Sequence, residues 1–197
     1  MDEINRLLRA MERPAGESSD FDLNPGLQPP AGRTLRPAGV LVPVWLRPGG
    51  ARVILTKRAS HLKHHPGQIA LPGGKVEPGD ASVQAAALRE AQEEIALPSG
   101  IVEVIGHLPP HETVTGFMVT PVLGLVRDDF DPIPEAGEVD EVFSVPLSHM
   151  LDPARYAVER RLWMGQWRRY YAAPYGPYYI WGATARILRG LAARASL

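Results

Sequence analysis

The segment Leu71–Leu97, which reads LPGGKVEPGDASVQAAALREAQEEIAL, constrains the fold more than any other part of the chain. Its alanine-rich middle has high helix propensity, and Pro98 directly after it cannot continue a helix. We therefore predict a helix from about Asp80 to Ala96. Asp80 follows a Pro-Gly pair and stands where an N-cap residue is expected.

The carboxylates of this helix differ in their position relative to its apolar face. At helical spacing an apolar stripe is formed by Val83, Ala87, Leu88, Ala91 and Ile95. Glu94 falls inside this stripe, Glu90 lies on its border, and Glu93 lies outside it. A solvated acidic face explains Glu93 well and Glu94 poorly, because a carboxylate within an apolar stripe is costly unless it is paired or bound to a metal.

The same face of the helix carries no Lys or Arg, and Glu90 and Glu94 repel each other at a spacing of i and i+4. A divalent cation would relieve both costs. Because the chain contains no cysteine, the ligands would be oxygen atoms, which favour magnesium or manganese. A metal site and a solvated acidic face both remain open on geometry alone.

Other segments predict a chain of the α/β class, of α+β type, with a mixed β-sheet and helices packed on it. Hydrophobic spacing predicts an N-terminal amphipathic helix through Met11, followed by a loop over residues 13–37 that is rich in Pro and Gly. The predicted strands are Ala38–Leu46, Ala51–Thr56, Ile101–Gly106, Phe117–Val126 and Val142–Val145. We expect a hairpin at Pro48–Gly50, a Gly-rich turn at Leu71–Gly74, a helical turn at Pro146–Leu151, an aromatic ribbon over Arg155–Tyr171, and a C-terminal helix marked by Trp181 to Leu191.

Composition excludes several classes of protein. A formal net charge of -1 disfavours a non-specific nucleic-acid binder, and the absence of cysteine excludes disulfides, thiolate zinc sites and cysteine nucleophiles. No apolar run approaches the roughly 20 residues of a membrane span, and the first residues lack the pattern of a signal peptide. We therefore expect a cytoplasmic protein without a membrane or nucleic-acid partner, consisting of a single domain over residues 1–197.

The segment Arg89–Ile95, with Gly74 and Asp80 before it, resembles the Nudix box. Three departures stand out. Asp80 occupies a position that usually holds Glu, one residue more than usual separates it from Arg89, and Ala96 replaces a Gly. The first two leave N-capping as an equal explanation for Asp80. The resemblance implies a Nudix-like mixed β-sheet sandwiched between helices, and an N-terminal helix and loop (1–37) before the core.

A second resemblance lies upstream. The segments Ile54–Ala59, Leu62–Gln68 and Leu71–Gly74 resemble the additional signature of coenzyme A pyrophosphatases, a Nudix subgroup, with Leu71 in place of the usual Phe. This resemblance implies a metal-dependent pyrophosphohydrolase that cleaves coenzyme A to 3',5'-ADP and 4'-phosphopantetheine.

The resemblance also implies roles for individual residues. Glu90 and Glu94 would be the principal ligands of Mg²⁺ (or Mn²⁺), with Glu93 and a backbone carbonyl of Gly73 or Gly74 completing the shell. Arg89, which is spaced to pair with Glu93, would orient the carboxylates.

The general base and the substrate contacts are less constrained. Glu90 is one candidate base, and Glu138, Asp140 and Glu141 are others, although a solvated acidic loop also explains the last three. Glu141 is included with Glu90, Glu93 and Arg89 in the predicted catalytic set.

Arg58, Lys63 and Gly73 are the predicted substrate-binding residues; His64 and His65 are weaker candidates for phosphate contacts. Trp163 and Trp167 are candidates for stacking on the adenine ring of the substrate, although core packing or the surface of a homodimer is the more common explanation for such residues. Hydrolysis of ADP-ribose or NADH, or a catalytically silent binding module of the same fold, remain alternatives.

Overall fold

A nine-stranded mixed sheet and a three-stranded antiparallel sheet organise the chain, which the computed structural model describes over residues 3–163 and 165–196. The strands, in chain order, are β1 (Ser18–Ser19), β2 (Arg36–Arg47), β3 (Gly50–Arg58), β4 (Ile69–Ala70), β5 (Gly73–Lys75), β6 (Val102–His107), β7 (His111–Glu112), β8 (Phe117–Val126), β9 (Val139–Pro146), β10 (Ala157–Trp163), β11 (Gln166–Tyr175) and β12 (Tyr178–Trp181). The helices are α1 (Glu3–Glu12), α2 (Val83–Ile95), α3 (Leu147–Met150) and α4 (Ala183–Ala195), and single 3₁₀ turns span Ser99–Ile101 and Pro153–Arg155.

The larger sheet follows the order β1-β7-β8-β2-β3-β4, with β5 also paired to β2, β6 to β8 and β9 to β3. Strand β2 runs parallel to β8 and antiparallel to β3. The predicted hairpin is confirmed: Gly49 and Gly50 have φ values of 95° and 125°, which glycine adopts without the steric cost of a Cβ atom. Strand β2 lies between β8 and β3 near the centre of this sheet, and α2 packs mainly on β2.

Two apolar clusters lie on opposite faces of this sheet. One face packs against α2 through Leu41, Ile54, Ala87, Ala91, Ile95, Leu97, Val122 and Val126. The other face packs against α1, α3 and α4 through residues that include Leu7, Val53, Leu147 and Leu188. Adjacent strand residues such as Ile54 and Leu55 divide between the two clusters, as the alternation of a strand requires. The expected sheet between helices is thus confirmed.

The ends of α2 differ from the prediction. Its N-cap is Ser82, whose hydroxyl accepts a hydrogen bond from the N–H of Ala85 at 3.1 Å, so the prediction that Asp80 caps the helix is wrong. Two further residues separate Asp80 from the first helical turn, and its carboxylate binds a side chain instead. At the other end Ala96 takes the left-handed conformation (φ 56°) that a glycine usually supplies.

Close packing fixes α2 on the sheet. A Cβ atom on Gly39 of β2 would lie 2.3 Å from the carbonyl oxygen of Val83, so only glycine allows the first turn of the helix to approach this strand. The acidic C-terminal half of α2 is therefore held beside the short strand β5.

Other differences from the prediction concern short elements. The Gly-rich segment predicted as a turn contains β5, the loop of residues 13–37 contains β1, and Trp181 belongs to β12 because α4 begins only after Gly182. Strands of two to four residues are too short to show a periodic pattern. None of the helices within residues 3–163 and 165–196 has the length and apolar character of a membrane span.

Candidate active site

Glu94 is a buried carboxylate at the contact between α2 and β5. The side chain is 5% exposed. One carboxylate oxygen accepts a hydrogen bond from the backbone N–H of Gly73 at 3.2 Å, and the other lies 4.0 Å from Nη1 of Arg58. No Lys or Arg lies on this face of α2, so the positive charge near Glu94 is the guanidinium of Arg58, at the end of β3.

Burial raises the pKa of Glu94 to about 8. The Gly73 N–H and the Arg58 guanidinium lower it in part, whereas the charges of Glu90 and Glu138 raise it further. The carboxyl group is consequently protonated at neutral pH in the absence of a cation. A divalent ion that replaced this proton would gain a carboxylate ligand already held in place by the backbone of β5.

Glu90 lies beside Glu94 and against Gly74. Its side chain is 14% exposed, and burial raises its pKa while the hydrogen bond from Arg89 opposes that rise. A Cβ atom on Gly74 would lie 2.4 Å from a Glu90 carboxylate oxygen, and one on Gly73 would lie 2.5 Å from the carbonyl oxygen of Gly39. The two glycines thus leave the space that the carboxylate and the neighbouring strand occupy.

Arg89 binds three carboxylates at once. Its guanidinium makes two hydrogen bonds of 3.0 Å to Asp80, one of 3.0 Å to Glu90 and one of 2.9 Å to Glu93. The bond to Arg89 is also the main reason that the pKa of Asp80 lies below its usual range. Asp80, assigned as a cap from sequence, is therefore a residue that positions Arg89, and the expected pairing of Arg89 with Glu93 is present.

The carboxylates fit an ion that shares its coordination shell with water and substrate. Within the described part of the chain, no three His, Asp or Glu side chains converge as a ready-made metal cluster. Glu90 and Glu94 nevertheless supply two adjacent carboxylates, and Mg²⁺ in enzymes commonly takes one or two carboxylates, several waters and substrate phosphates. Glu93 is 58% exposed and held by Arg89, so it lies at the solvent side of this pair.

The three acidic residues before and within β9 are placed differently. Glu138 is exposed, and its charge raises the pKa of both Glu90 and Glu94, so it lies within electrostatic reach of them. Asp140 accepts hydrogen bonds from the N–H and hydroxyl of Ser60 at 3.0 and 2.6 Å.

Glu141 lies away from Glu90 and Glu94. Its carboxylate accepts a hydrogen bond from the hydroxyl of Tyr178, whose ring stacks on Phe143 in the apolar cluster on the far side of the sheet. The structure therefore does not bring Glu141 to the Glu90–Glu94 pair, although the sequence placed it in the catalytic set. Strand alternation explains this result, since Glu141 and Phe143 share one face of β9 and that face is turned from α2.

The basic segment after β3 begins beside the carboxylates. The backbone of Arg58 closes it by accepting a hydrogen bond from Gly67 at 3.1 Å and donating one to Gln68 at 3.0 Å. Lys63 and His64 are exposed within this loop. The structure thus brings Arg58 and Gly73 to Glu94, and it places Lys63 in a loop that starts from Arg58.

Comparison with known proteins finds a family and several relatives that this sequence resembles over most of its length. The sequence matches the family described as "NUDIX domain" over residues 35–164. It is 49% identical over 162 residues to a protein of Enterobacter sp. (strain 638) named "Uncharacterized Nudix hydrolase NudL", a match that covers 80% of this chain and 81% of the relative. A protein of Salmonella newport with the same name is 49% identical over 160 residues, again with 80% and 81% covered.

A solved structure supports the fold. A "MutT/nudix family protein from Enterococcus faecalis" superposes with a TM-score of 0.51 at 18% identity, covering 87% of this chain and 66% of that one. At this identity the likeness concerns the arrangement of the sheet and helices.

Proposed function

The chain belongs to the Nudix family, and from that premise we propose that it is a Mg²⁺-dependent pyrophosphohydrolase whose substrate is coenzyme A. Nudix hydrolases act on small molecules, typically nucleoside diphosphate derivatives, with the help of a divalent metal. The proposal specifies coenzyme A as the substrate, the side chains that bind the metal, and Mg²⁺ as the metal, which Mn²⁺ can replace.

The observation that carries the proposal is the buried Glu94 carboxyl next to Glu90. An isolated carboxylate this deeply buried would be costly, and the partial countercharge of Arg58 at 4.0 Å does not return its pKa to the ordinary range. A cation bound between Glu90 and Glu94 would remove that cost. When bound, it would supply charge neutralisation at the pyrophosphate and a lower pKa for a water molecule.

The surrounding residues would organise the site in specific ways. Arg89 would hold Glu90 and Glu93 at fixed positions while Asp80 holds Arg89, so that neither carboxylate rotates away. Gly74 would keep the space in which the Glu90 carboxylate lies and offer its carbonyl oxygen. Such preorganisation lowers the reorganisation needed when substrate binds.

Substrate contacts are proposed for Arg58, Lys63 and the backbone of Gly73. Arg58 lies 4.0 Å from the buried Glu94 carboxylate, and guanidinium groups bind phosphate oxygens in a fixed geometry. Lys63 lies in the exposed loop that follows, where a second phosphate of an extended substrate would find a cation.

In the proposed reaction a water molecule attacks one phosphorus atom of the pyrophosphate. Its oxygen forms the new P–O bond, the bridging P–O bond breaks, and a general base takes the proton. Glu90 and Glu138 are the candidate bases supported by position. The products would be 3',5'-ADP and 4'-phosphopantetheine.

The choice of coenzyme A rests on the segments Ile54–Ala59, Leu62–Gln68 and Leu71–Gly74, which resemble the subgroup signature and which flank the carboxylates on the β3 and β5 sides. Coenzyme A as substrate would also suit a cytoplasmic location. We further propose that residues 1–197 act as one domain, because one apolar cluster joins α1, the larger sheet and α4.

A direct assay tests the substrate. Purified protein is incubated with Mg²⁺ and, separately, with coenzyme A, ADP-ribose, NADH and nucleoside triphosphates, and the products are identified by mass. We expect 3',5'-ADP and 4'-phosphopantetheine from coenzyme A. Cleavage of ADP-ribose or NADH with coenzyme A left intact would contradict the substrate and support another Nudix activity.

Two variants test the site within the same assay. Glu90→Gln should reduce turnover of coenzyme A by orders of magnitude with the fold retained, while Glu141→Gln, on the far side of the sheet, should leave turnover close to that of the unmodified protein. Turnover that survives Glu90→Gln would remove Glu90 from the site. Binding of coenzyme A without cleavage, in every metal tested, would indicate the silent binding module.

A further inference from the structure

Strand β10 forms an exposed free edge of the smaller sheet. All seven of its residues, Ala157–Trp163, are exposed, and β11 pairs with only one of its two edges. Within the described residues no strand pairs with the other edge. A free edge presents a row of unpaired N–H and C=O groups that can pair with another strand.

The same ribbon carries an exposed apolar stripe. Val158, Leu162 and Trp167 are large apolar side chains that are 50%, 59% and 60% exposed. Leu162 is directly paired with Trp167, and Val158 and Leu162 share one face of β10 by strand alternation. Large apolar side chains exposed together on one face of a sheet are a feature of protein association sites.

We infer that β10 pairs antiparallel with β10 of a second copy of this chain, about a two-fold axis at Arg160. In this register Glu159 of each copy lies opposite Arg161 of the other, so that two pairs of opposite charge form. Val158 lies opposite Leu162, and the two smaller sheets become one continuous sheet. The sequence AVERRLW is thus complementary to itself around its central residue.

Neighbouring registers lack this complementarity. Moving the two-fold axis by one residue places Glu159 opposite Glu159 and Val158 opposite Arg160, or Arg161 opposite Arg161 and Arg160 opposite Leu162, so that both Glu–Arg pairs are lost and like charges meet at the axis. In the inferred register the two Arg160 side chains face each other across the axis. Each guanidinium, however, lies over the ring of Trp167 at 4.9 Å, which draws it away from the axis.

A charge swap tests the pairing in the full chain, by analytical ultracentrifugation over a range of protein concentrations. Glu159→Arg or Arg161→Glu alone should raise the dissociation constant of the dimer at least about tenfold, because each change creates two like-charge pairs. The double variant Glu159→Arg/Arg161→Glu should restore dimerisation. Glu17→Arg, at an exposed position of the N-terminal loop, makes the same change in net charge as Glu159→Arg and should leave the dimer intact.

The absence of cysteine allows a second test of the register. Residues directly opposite in an antiparallel pair have Cα atoms about 4.5 to 5.5 Å apart, within reach of a disulfide. Arg160→Cys should therefore cross-link two copies rapidly under mild oxidation, whereas Leu162→Cys should not, because residue 162 lies opposite residue 158. A monomeric unmodified protein, unchanged dissociation in the single charge variants, or equal cross-linking by both cysteines would each overturn the inference.

Discussion

Replacing Glu94 with glutamine keeps the size of the side chain and its acceptor for the Gly73 N–H, but removes its titration. In the folded protein the pKa of Glu94 is about 8, against an ordinary value of 4.5. The folded state therefore holds a proton that the unfolded chain releases. Stability that this group contributes is present below the ordinary pKa and is lost as the pH rises toward about 8.

The size of this effect follows from the displacement of the pKa. The raised pKa of Glu94 lowers the free energy of unfolding, relative to acidic pH, by at most about 5 kcal/mol at pH 8 and above and by about 3 kcal/mol near pH 7. Glu94→Gln stays neutral at every pH, so without metal the variant should be nearly as stable as the unmodified protein near pH 5. It should become the more stable of the two, by a few kcal/mol, near pH 8.

Urea unfolding in the presence of a chelator, at intervals between about pH 5 and pH 8, measures the difference. Glu93→Gln, which removes a carboxylate that is 58% exposed one position earlier, controls for the loss of one charge. Stability curves of the unmodified protein and Glu94→Gln that run parallel with pH would refute the burial argument.

Magnesium should reduce this difference in stability near pH 8. An ion that binds only the folded protein adds about 2.7 kcal/mol when its concentration is a hundred times the dissociation constant. The unmodified protein should gain this stability near pH 8, and Glu94→Gln should gain little. Equal stabilisation of both proteins by Mg²⁺ would contradict Glu94 as a ligand.

Three further predictions concern the glycine and the ends of α2. Gly74→Ala should lower turnover at least about tenfold at unchanged secondary structure, because the new Cβ atom displaces the Glu90 carboxylate; kcat measured beside circular dichroism checks it. Ser82→Ala should lower the free energy of unfolding by about 1 kcal/mol through loss of the cap, with activity preserved. Asp80→Asn should instead lower kcat, because it weakens the contact that positions Arg89. A loss of stability in Asp80→Asn without one in Ser82→Ala would identify Asp80 as the cap. Ala96→Gly should raise the free energy of unfolding by about 1 kcal/mol, because glycine adopts φ 56° without strain, and an unchanged denaturation midpoint would count against this reasoning.

Much of the fold was predictable because its signals are local. The stripe of Ala87, Ala91 and Ile95 predicted which face of α2 is buried, and the structure confirms both that face and the position of Glu94 within it. The long strands β2, β3 and β8 were recognisable because each is a run of apolar residues between turn signals. Short strands such as β5 were not, since three residues cannot establish a period.

The sequence by itself determined that α2 carries a carboxylate on its apolar face and that glycines precede it, because helical spacing depends only on residues within a few turns. Only the tertiary structure decided the partners of these groups. Arg58 reaches Glu94 from strand β3, and Asp80 binds the side chain of Arg89 and does not cap α2. Glu141 lies on the face of the sheet opposite to α2. Such contacts join residues far apart in the chain or outside a repeating geometry. They depend on strand pairing, on which face of a strand a side chain occupies, and on the close approach of α2 at Gly39, none of which has a local periodic signal.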